Sequence, residues 1–297
     1  MNKSDLLKYV EETSLAMTLG EIDEAILLHF DLMMESYKLK PLFYKKLLKY
    51  DRFMVALTSL SFYFSDDRIP LSKVKAFCEK RGYSSRNSLD SYFSFFFITG
   101  YMHVRLHDDD ARQRVFGPTK AATREAAKIA KSYLLPLQIS APHQACLWCE
   151  RDLEDILPLF FSGFAKLLHA DVLLDKLLPE AKWMLNRDGG HLPMLALYTD
   201  SLRRLSENPA RKVSTYTELS SCLGVSNTHV IRMVKEGETH GYFKCSKHTV
   251  ELLPPFISMV RKAMAINFAV AQISLELGIK HSNNDINLYE TERPRKL

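Results

Sequence analysis

RIPLSKVKAFCEKRGYSSRNSLDSYFSFFFITGYMHVRLHDDDARQRVFGPT, residues 68–119, decides the fold. Its first part, LSKVKAFCEKRG, has helical spacing of apolar residues, basic residues near its end and a stop at Gly82, the pattern of a short helix. Tyr83-Ser84-Ser85 is a tight turn, and Ser84 is the expected N-cap because its hydroxyl can accept a bond from a first-turn amide. The second helix starts with Ser85, Arg86, Asn87 and Ser88 and runs into SYFSFFFITG. Polar groups at the leading tip and an apolar rear suit a helix that enters a DNA major groove. After Gly100, YMHVRL and RQRVFGPT read as two short strands joined by His107-Asp108-Asp109-Asp110-Ala111. A helix-turn-helix followed by a β-hairpin is a winged helix.

The pattern recurs downstream. Asn186-Arg187-Asp188-Gly189-Gly190 is the clearest boundary in the chain, a polar break ending in two glycines. HLPMLALYTDSLRRLSEN then reads as an entry helix, and VSTYTELSSCLGVSNTHVIRMVKEGETHGYF as a second helix-turn-helix. Gly82 and Gly224 close the first helix of each unit, Gly100-Tyr101 and Gly241-Tyr242 the second, with separations of 18 and 17 residues. This alignment sets Ser84-Ser85-Arg86 against Ser226-Asn227-Thr228. The second wing, Lys244-Cys245-Ser246-Lys247-His248, is shorter and carries no Asp-Arg motif.

Elsewhere the spacing predicts helices over 4–13 and 20–37 and one from Pro41 through LFYKKLLKYDRFMVALTSLSFYF. Lys45, Lys46, Lys49 and Tyr50 on it are either phosphate contacts or its wet face. KAATREAAKIAKSYLLPL is a long helix ended by Pro136, residues 142–185 are helical and widely apolar, and PPFISMVRKAMAINFAVAQISLELG closes the fold. The expected division is 1–40 (N-terminal helices), 41–135 (first winged helix), 136–190 (connecting helices), 191–278 (second winged helix) and 279–297 (polar tail). The fold class is mainly α with small β-hairpin wings, two winged helix-turn-helix lobes on a shared helical base.

With 297 residues, 46% of them hydrophobic and 25% charged, the chain can hold two domains with their own cores. Net charge is +5, but residues 68–131 hold thirteen Lys/Arg against six acids and residues 203–247 hold eight against four. Residues 1–40 hold eight acids against four bases, so positive charge gathers on the two units, as phosphate binding requires. No apolar run is expected to reach a membrane span, the start is unlike a signal peptide, and five cysteines suit a reducing compartment, so a cytoplasmic location is expected. No phosphate-cradling glycine loop, HExxH or nucleophile elbow occurs, and neither an enzyme nor a cofactor is expected. His143-x-x-Cys146-x-x-Cys149 has ligand-like spacing, but a closed structural zinc site needs four ligands, and packing or redox sensing explains the residues as well.

Asp110-x-Arg112-x-Arg114-Val115-Phe116-x-Pro118-Thr119 resembles the wing of the MarR-type transcription regulators, and LGVSNTHVIRMV follows a widespread bacterial turn and recognition helix. The resemblance implies that Arg112 reaches the minor groove while a neighbouring Asp orients it. It implies two lobes reading two half-sites, here in one chain, a monomer acting as an internal pseudo-dimer on double-stranded DNA. It also implies a small-molecule effector, anionic or phenolic, between the lobes and the helical base. Ser84, Ser85, Arg86 and Asn87 are expected to read one half-site and Ser226, Asn227, Thr228, His229 and Arg232 the other. Arg105, Arg112, Arg114, Lys235, Lys244 and Lys247 are expected to hold phosphate or the minor groove. Winged helices also serve as protein-interaction modules, and Phe93, Phe95, Phe96 and Phe97 would supply a partner surface if they faced outward.

Overall fold

A computed structural model describes residues 1–107, 112–140, 152–187, 189–207, 215–246 and 249–291. Among them the chain is mainly helical with two small antiparallel hairpins, the α+β class that the sequence predicts. The N-terminal helices are α1 (Lys3–Thr18), α2 (Ile22–Leu39), α3 (Pro41–Leu47) and α4 (Tyr50–Ser65). Next come α5 (Leu71–Lys80), α6 (Arg86–Ile98), the hairpin β1 (Met102–Leu106) and β2 (Arg114–Pro118), α7 (Lys120–Leu134) and α8 (Leu137–Ser140). The second half holds α9 (Leu153–Ala170), the short α10 (Leu174–Leu177) and α11 (Lys182–Leu185), and α12 (Leu192–Glu207). It ends with α13 (Tyr216–Leu223), α14 (Asn227–Thr239), the hairpin β3 (Phe243–Ser246) and β4 (Thr249–Leu252), and α15 (Pro254–Thr291).

The centre is the pair α9 and α15, with α1 laid on α15 and with α4 and α7 on α9. Glycine is required where the central helices meet. A Cβ on Gly163 would run into the Ser274 carbonyl oxygen, and a Cβ on Gly278 into the Leu159 carbonyl oxygen. With no side chain between them the two backbones come into direct contact, where dispersion and Cα–H···O contacts act over the whole crossing. Contrary to the sequence expectation, Glu154–Leu177 and Pro254–Ser282 are long and apolar enough, by composition, to cross a membrane. Of their most apolar windows, 61% and 72% lie buried inside the protein, so neighbouring helices cover that surface.

Around this pair the elements repeat. α4 and α12 both have 16 residues, and α6 and α14 both have 13. α2 and α9 both have 18, and each reaches across to the other half. Tyr37 Oη on α2 donates to the Leu223 carbonyl at 2.7 Å, while Arg81 Nη2 donates to the Leu168 carbonyl on α9 at 2.7 Å and pairs with Asp171. Leu48 and Gly190 each stand two residues before their entry helix, and they touch: a Cβ on Gly190 would strike the Leu48 carbonyl.

Two sequence expectations change. At the boundary the sequence marks, Asn186 Oδ1 accepts from the Asp51 N–H at 3.0 Å and Gly190 lies against the Leu48 carbonyl. The helix expected to run on from Pro41 divides into α3 and α4, because Lys49 is extended (φ −59°, ψ 124°) where Leu48 meets Gly190. α15 continues into the segment expected to be a polar tail, as far as Thr291, with no proline before Pro294 to stop it.

Two fully buried imidazoles join α2 to the start of α12. His29 Nδ1 lies 2.7 Å from the Ser132 carbonyl, which only accepts, so Nδ1 carries the proton. His29 Nε2 is then an acceptor, and His191 Nε2 donates to it at 3.0 Å. Burial pushes His29 down to about 4 and His191, also facing His29, down to about 3. As pH falls below the ordinary value of 6.5 the unfolded chain takes up these protons and the folded one does not until about 4.

Stability measured by urea unfolding is therefore expected to fall as pH drops from 6.5 towards 4, the range bounded by the ordinary and folded values. His191→Gln keeps a donor for His29 while removing one titrating group, and should flatten this acid dependence. An unchanged slope would refute the assignment. Gly163→Ala and Gly278→Ala should each cost roughly 1–3 kcal/mol or more, by overpacking the central crossing. Gly20→Ala, whose Cβ would meet nothing nearer than 3.7 Å, should be close to neutral in the same assay.

Candidate nucleic-acid interface

Each half presents a helix, a turn, a 13-residue helix and a hairpin. α5 ends at Lys80 and Gly82 takes the left-handed conformation (φ +73°), which spares a Cβ clash and turns the chain. Ser85 is the N-cap residue of α6, one position later than the sequence suggests, and its hydroxyl donates to Ser88 Oγ at 3.0 Å. Ser84 is half-buried in the turn. In the second unit Thr215 and Glu218 form a capping box on α13, Gly224 is left-handed (φ +59°), and Ser226 Oγ accepts from the His229 N–H at 3.2 Å.

The caps correct the register of the repeat. Ser85 corresponds to Ser226, Arg86 to Asn227 and Asn87 to Thr228, so the extra residue of the first unit lies in its turn. In this register Leu89, Tyr92 and Phe93 correspond to Val230, Met233 and Val234, and all six are buried. After both helices comes a left-handed glycine, Gly100 or Gly241, and the next tyrosine N–H bonds back to Phe96 or Gly237, at 2.8 Å in each case. Buried residues at i, i+3 and i+4 fix which face each helix turns inward.

The outward faces differ. α6 exposes Arg86, Asn87, Ser88, Asp90 and Ser91, and Asp90 is ion-paired with Lys75, which holds its carboxyl below the usual range. α14 exposes Asn227, Thr228, Arg232 and Lys235, with Asn227 Oδ1 accepting from Ser220 Oγ. His229 is half-buried, less available than its neighbours. Of the phenylalanine run, Phe93 is buried and Phe96 packs edge-on to Tyr92, whereas Phe97 (55%) and Ile98 (80%) are exposed.

The first hairpin pairs Met102 with Pro118 and Leu106 with Arg114, and Pro70 forms an extra bridge to Val115 that ties it to the strand-like segment before α5. Arg112 and Arg114 are exposed, and Arg105 lies 3.9 Å from Asp67. The three aspartates 108–110, including the Asp expected to orient Arg112, lie outside the described residues. The second hairpin pairs Phe243 with Leu252 and exposes Lys244; Lys247 lies outside the described residues, as do His143, Cys146 and Cys149. Among the described residues no group of three His, Cys, Asp or Glu could hold a metal ion.

Three contacts that brace these two units have no signal in the sequence. Lys45 Nζ donates to the Gly224 carbonyl at 3.3 Å, bracing the second turn from the first half. Arg187 pairs with Glu236 on α14 at 2.5 Å while its guanidinium lies over Trp183. The Lys75–Asp90 pair links α5 to the exposed face of α6. Each joins residues far apart in the chain or on separate helices, so no local spacing announces it. Compared with protein-family models, curated proteins and solved structures, this chain matches none.

Proposed function

We propose that this chain is a sequence-specific regulator of transcription that binds double-stranded DNA through two tandem winged helix-turn-helix lobes, as an internal pseudo-dimer. The observation that carries this reading is the register of α6 and α14. Two helices of equal length bury corresponding triads and leave a polar, partly cationic face outward, each behind a turn that ends on an N-cap serine and ahead of a hairpin. Major-groove reading needs that combination of a fixed rear and a polar front. The faces carry different residues, so the two half-sites are unlike and the operator is not a good palindrome. Arg86 takes the base-reading role in α6, where its fork matches the two acceptors of guanine, and Arg232 with Thr228 takes it in α14. Arg105, Arg112, Arg114, Lys235 and Lys244 contact backbone or minor groove.

The exposed Phe97 and Ile98 favour a second reading, an assembly scaffold that uses the same lobes to hold a protein. Salt separates the two readings. DNA affinity falls steeply as salt rises because counterions compete for the phosphates, whereas an apolar protein contact responds little.

Selection from a random duplex pool at near-physiological salt should enrich a bipartite, imperfectly symmetric motif. Arg86→Ala should relax preference within one half-site at a cost of roughly 1–3 kcal/mol, while Arg112→Ala should weaken all sequences alike and lower the salt slope by about one. Failure to enrich any motif, with only weak salt-sensitive retention, would overturn the sequence-specific reading. Separately, Phe97→Ser with Ile98→Ser should leave DNA affinity unchanged and should abolish partner capture if the scaffold reading holds.

A further inference from the structure

The register that aligns α6 with α14 also sets their outward faces against each other, residue by residue. Wherever both helices expose a residue over their first nine positions, polar or basic residues stand in both, with one exception. At that position α6 carries Asp90 and α14 carries Ile231, which is 37% exposed. Each is the fifth residue of its helix, one turn after Arg86 or Asn227 and on the same side.

The surroundings of the two residues differ in step. Lys75 Nζ on α5 donates to Asp90 Oδ1 and also lies over the Phe93 ring, 5.8 Å from its centre, so the carboxylate is held from behind. The N–H groups of Tyr83 and Val225 bond back to the Cys78 and Ser220 carbonyls, at 3.1 Å in each case, which sets Lys75 against Thr217 on α13. Both members of the ion pair are therefore replaced in the second half. A carboxylate on a DNA-facing surface is repelled by phosphate and gains only where a base offers it a donor. In the major groove cytosine shows an amino group and no acceptor of its own, whereas adenine sets N7 beside its amino group and guanine and thymine show acceptors. Lys75 takes one oxygen of Asp90, and a carboxylate accepts at both. The Ile231 side chain neither donates nor accepts, and the apolar group that a base edge offers in that groove is the thymine methyl.

We propose that Asp90 and Ile231 tell the two half-sites apart: the Asp90 carboxylate accepts from the amino group of a cytosine, and the Ile231 side chain packs on the methyl group of a thymine. The inference rests on the DNA-reading function proposed above and names the bases that it selects. Asp90 follows Arg86 by one turn, about 6 Å along the helix, so the cytosine lies within about two base pairs of the guanine that Arg86 reads.

The test selects sites from a random duplex pool with the full chain, its Asp90→Asn and its Ile231→Ser variants, then remakes the enriched site with deoxyuridine for each thymine in turn. The unaltered chain should require cytosine at one position of the half-site that Arg86→Ala relaxes, and replacing that base should weaken binding roughly five- to 100-fold. Asp90→Asn should move the preference to adenine, whose edge matches an amide, and leave the other half-site alone. One deoxyuridine in the other half-site should weaken binding about four-fold, the worth of one methyl group, and Ile231→Ser should erase that difference. If a bipartite motif is enriched but Asp90→Asn changes affinity for all sequences by one factor, Asp90 serves only its pair with Lys75 and its reading role is overturned. If no deoxyuridine weakens binding, or if it does so equally in Ile231→Ser, the role of Ile231 is overturned. If no motif is enriched at all, the DNA-reading function fails and this inference with it.

Discussion

The backbone-to-backbone crossing of α9 and α15 is the constraint on which the rest of the molecule depends. Gly163 and Gly278 each lie against a carbonyl of the opposite helix, so the pair has little room to slide or rotate. That rigidity reaches both lobes. α15 begins two residues after β4, and the C-terminal end of α9 accepts the guanidinium of Arg81 from the turn between α5 and α6. Fixing one crossing therefore fixes where both polar helix faces point.

The halves are held together by corresponding contacts. The turn of each helix pair is braced from the other half, Leu223 by Tyr37 and Arg81 by Leu168, and the halves touch at Leu48 and Gly190. Their interiors have nevertheless diverged. Phe96 and Met102 in the first lobe correspond to Gly237 and Phe243 in the second, where a Cβ on the glycine would strike the phenylalanine ring. Bulk has moved from helix to strand, and the two lobes fill the same space by different routes. A cavity lies beside α4, whereas Leu195, Tyr198 and Thr199 of α12, which match Phe53, Ala56 and Leu57, are buried.

The interior is also crossed by polar contacts that set register. Asp23 at the start of α2 accepts from Arg261 on α15 and Tyr198 on α12, and Tyr50 at the start of α4 donates to Asp175 at 2.9 Å. With the His29–His191 pair and the Glu125 cluster, these bonds reward one arrangement of the helices and leave costly unpaired groups in any other. Apolar packing alone tolerates small shifts; these groups do not.

The sequence by itself determined the helical class, both hairpins, the two repeated units and the glycines that end their helices. Those features are local, written in periodicity and in residues suited to left-handed turns. Of the base readers it expected, Arg86 and Asn87 on α6 and Asn227, Thr228 and Arg232 on α14 are exposed and His229 is half-buried, while Phe97, in a run that could equally pack inward, is exposed. A one-residue error in the cap of α6 came from two adjacent serines, Ser84 and Ser85, that local chemistry cannot rank. Only the tertiary structure decided the rest. The close contact of Gly190 with Leu48 was not legible at the boundary, because glycine serves both loose turns and close contacts and only the approach of Leu48 distinguishes them. The long apolar helices read as core or span depending on what covers them. The cavity and the contacts of Tyr37 and Lys45 with the second turn arise between residues more than a hundred positions apart, where no spacing along the chain records the distance in space.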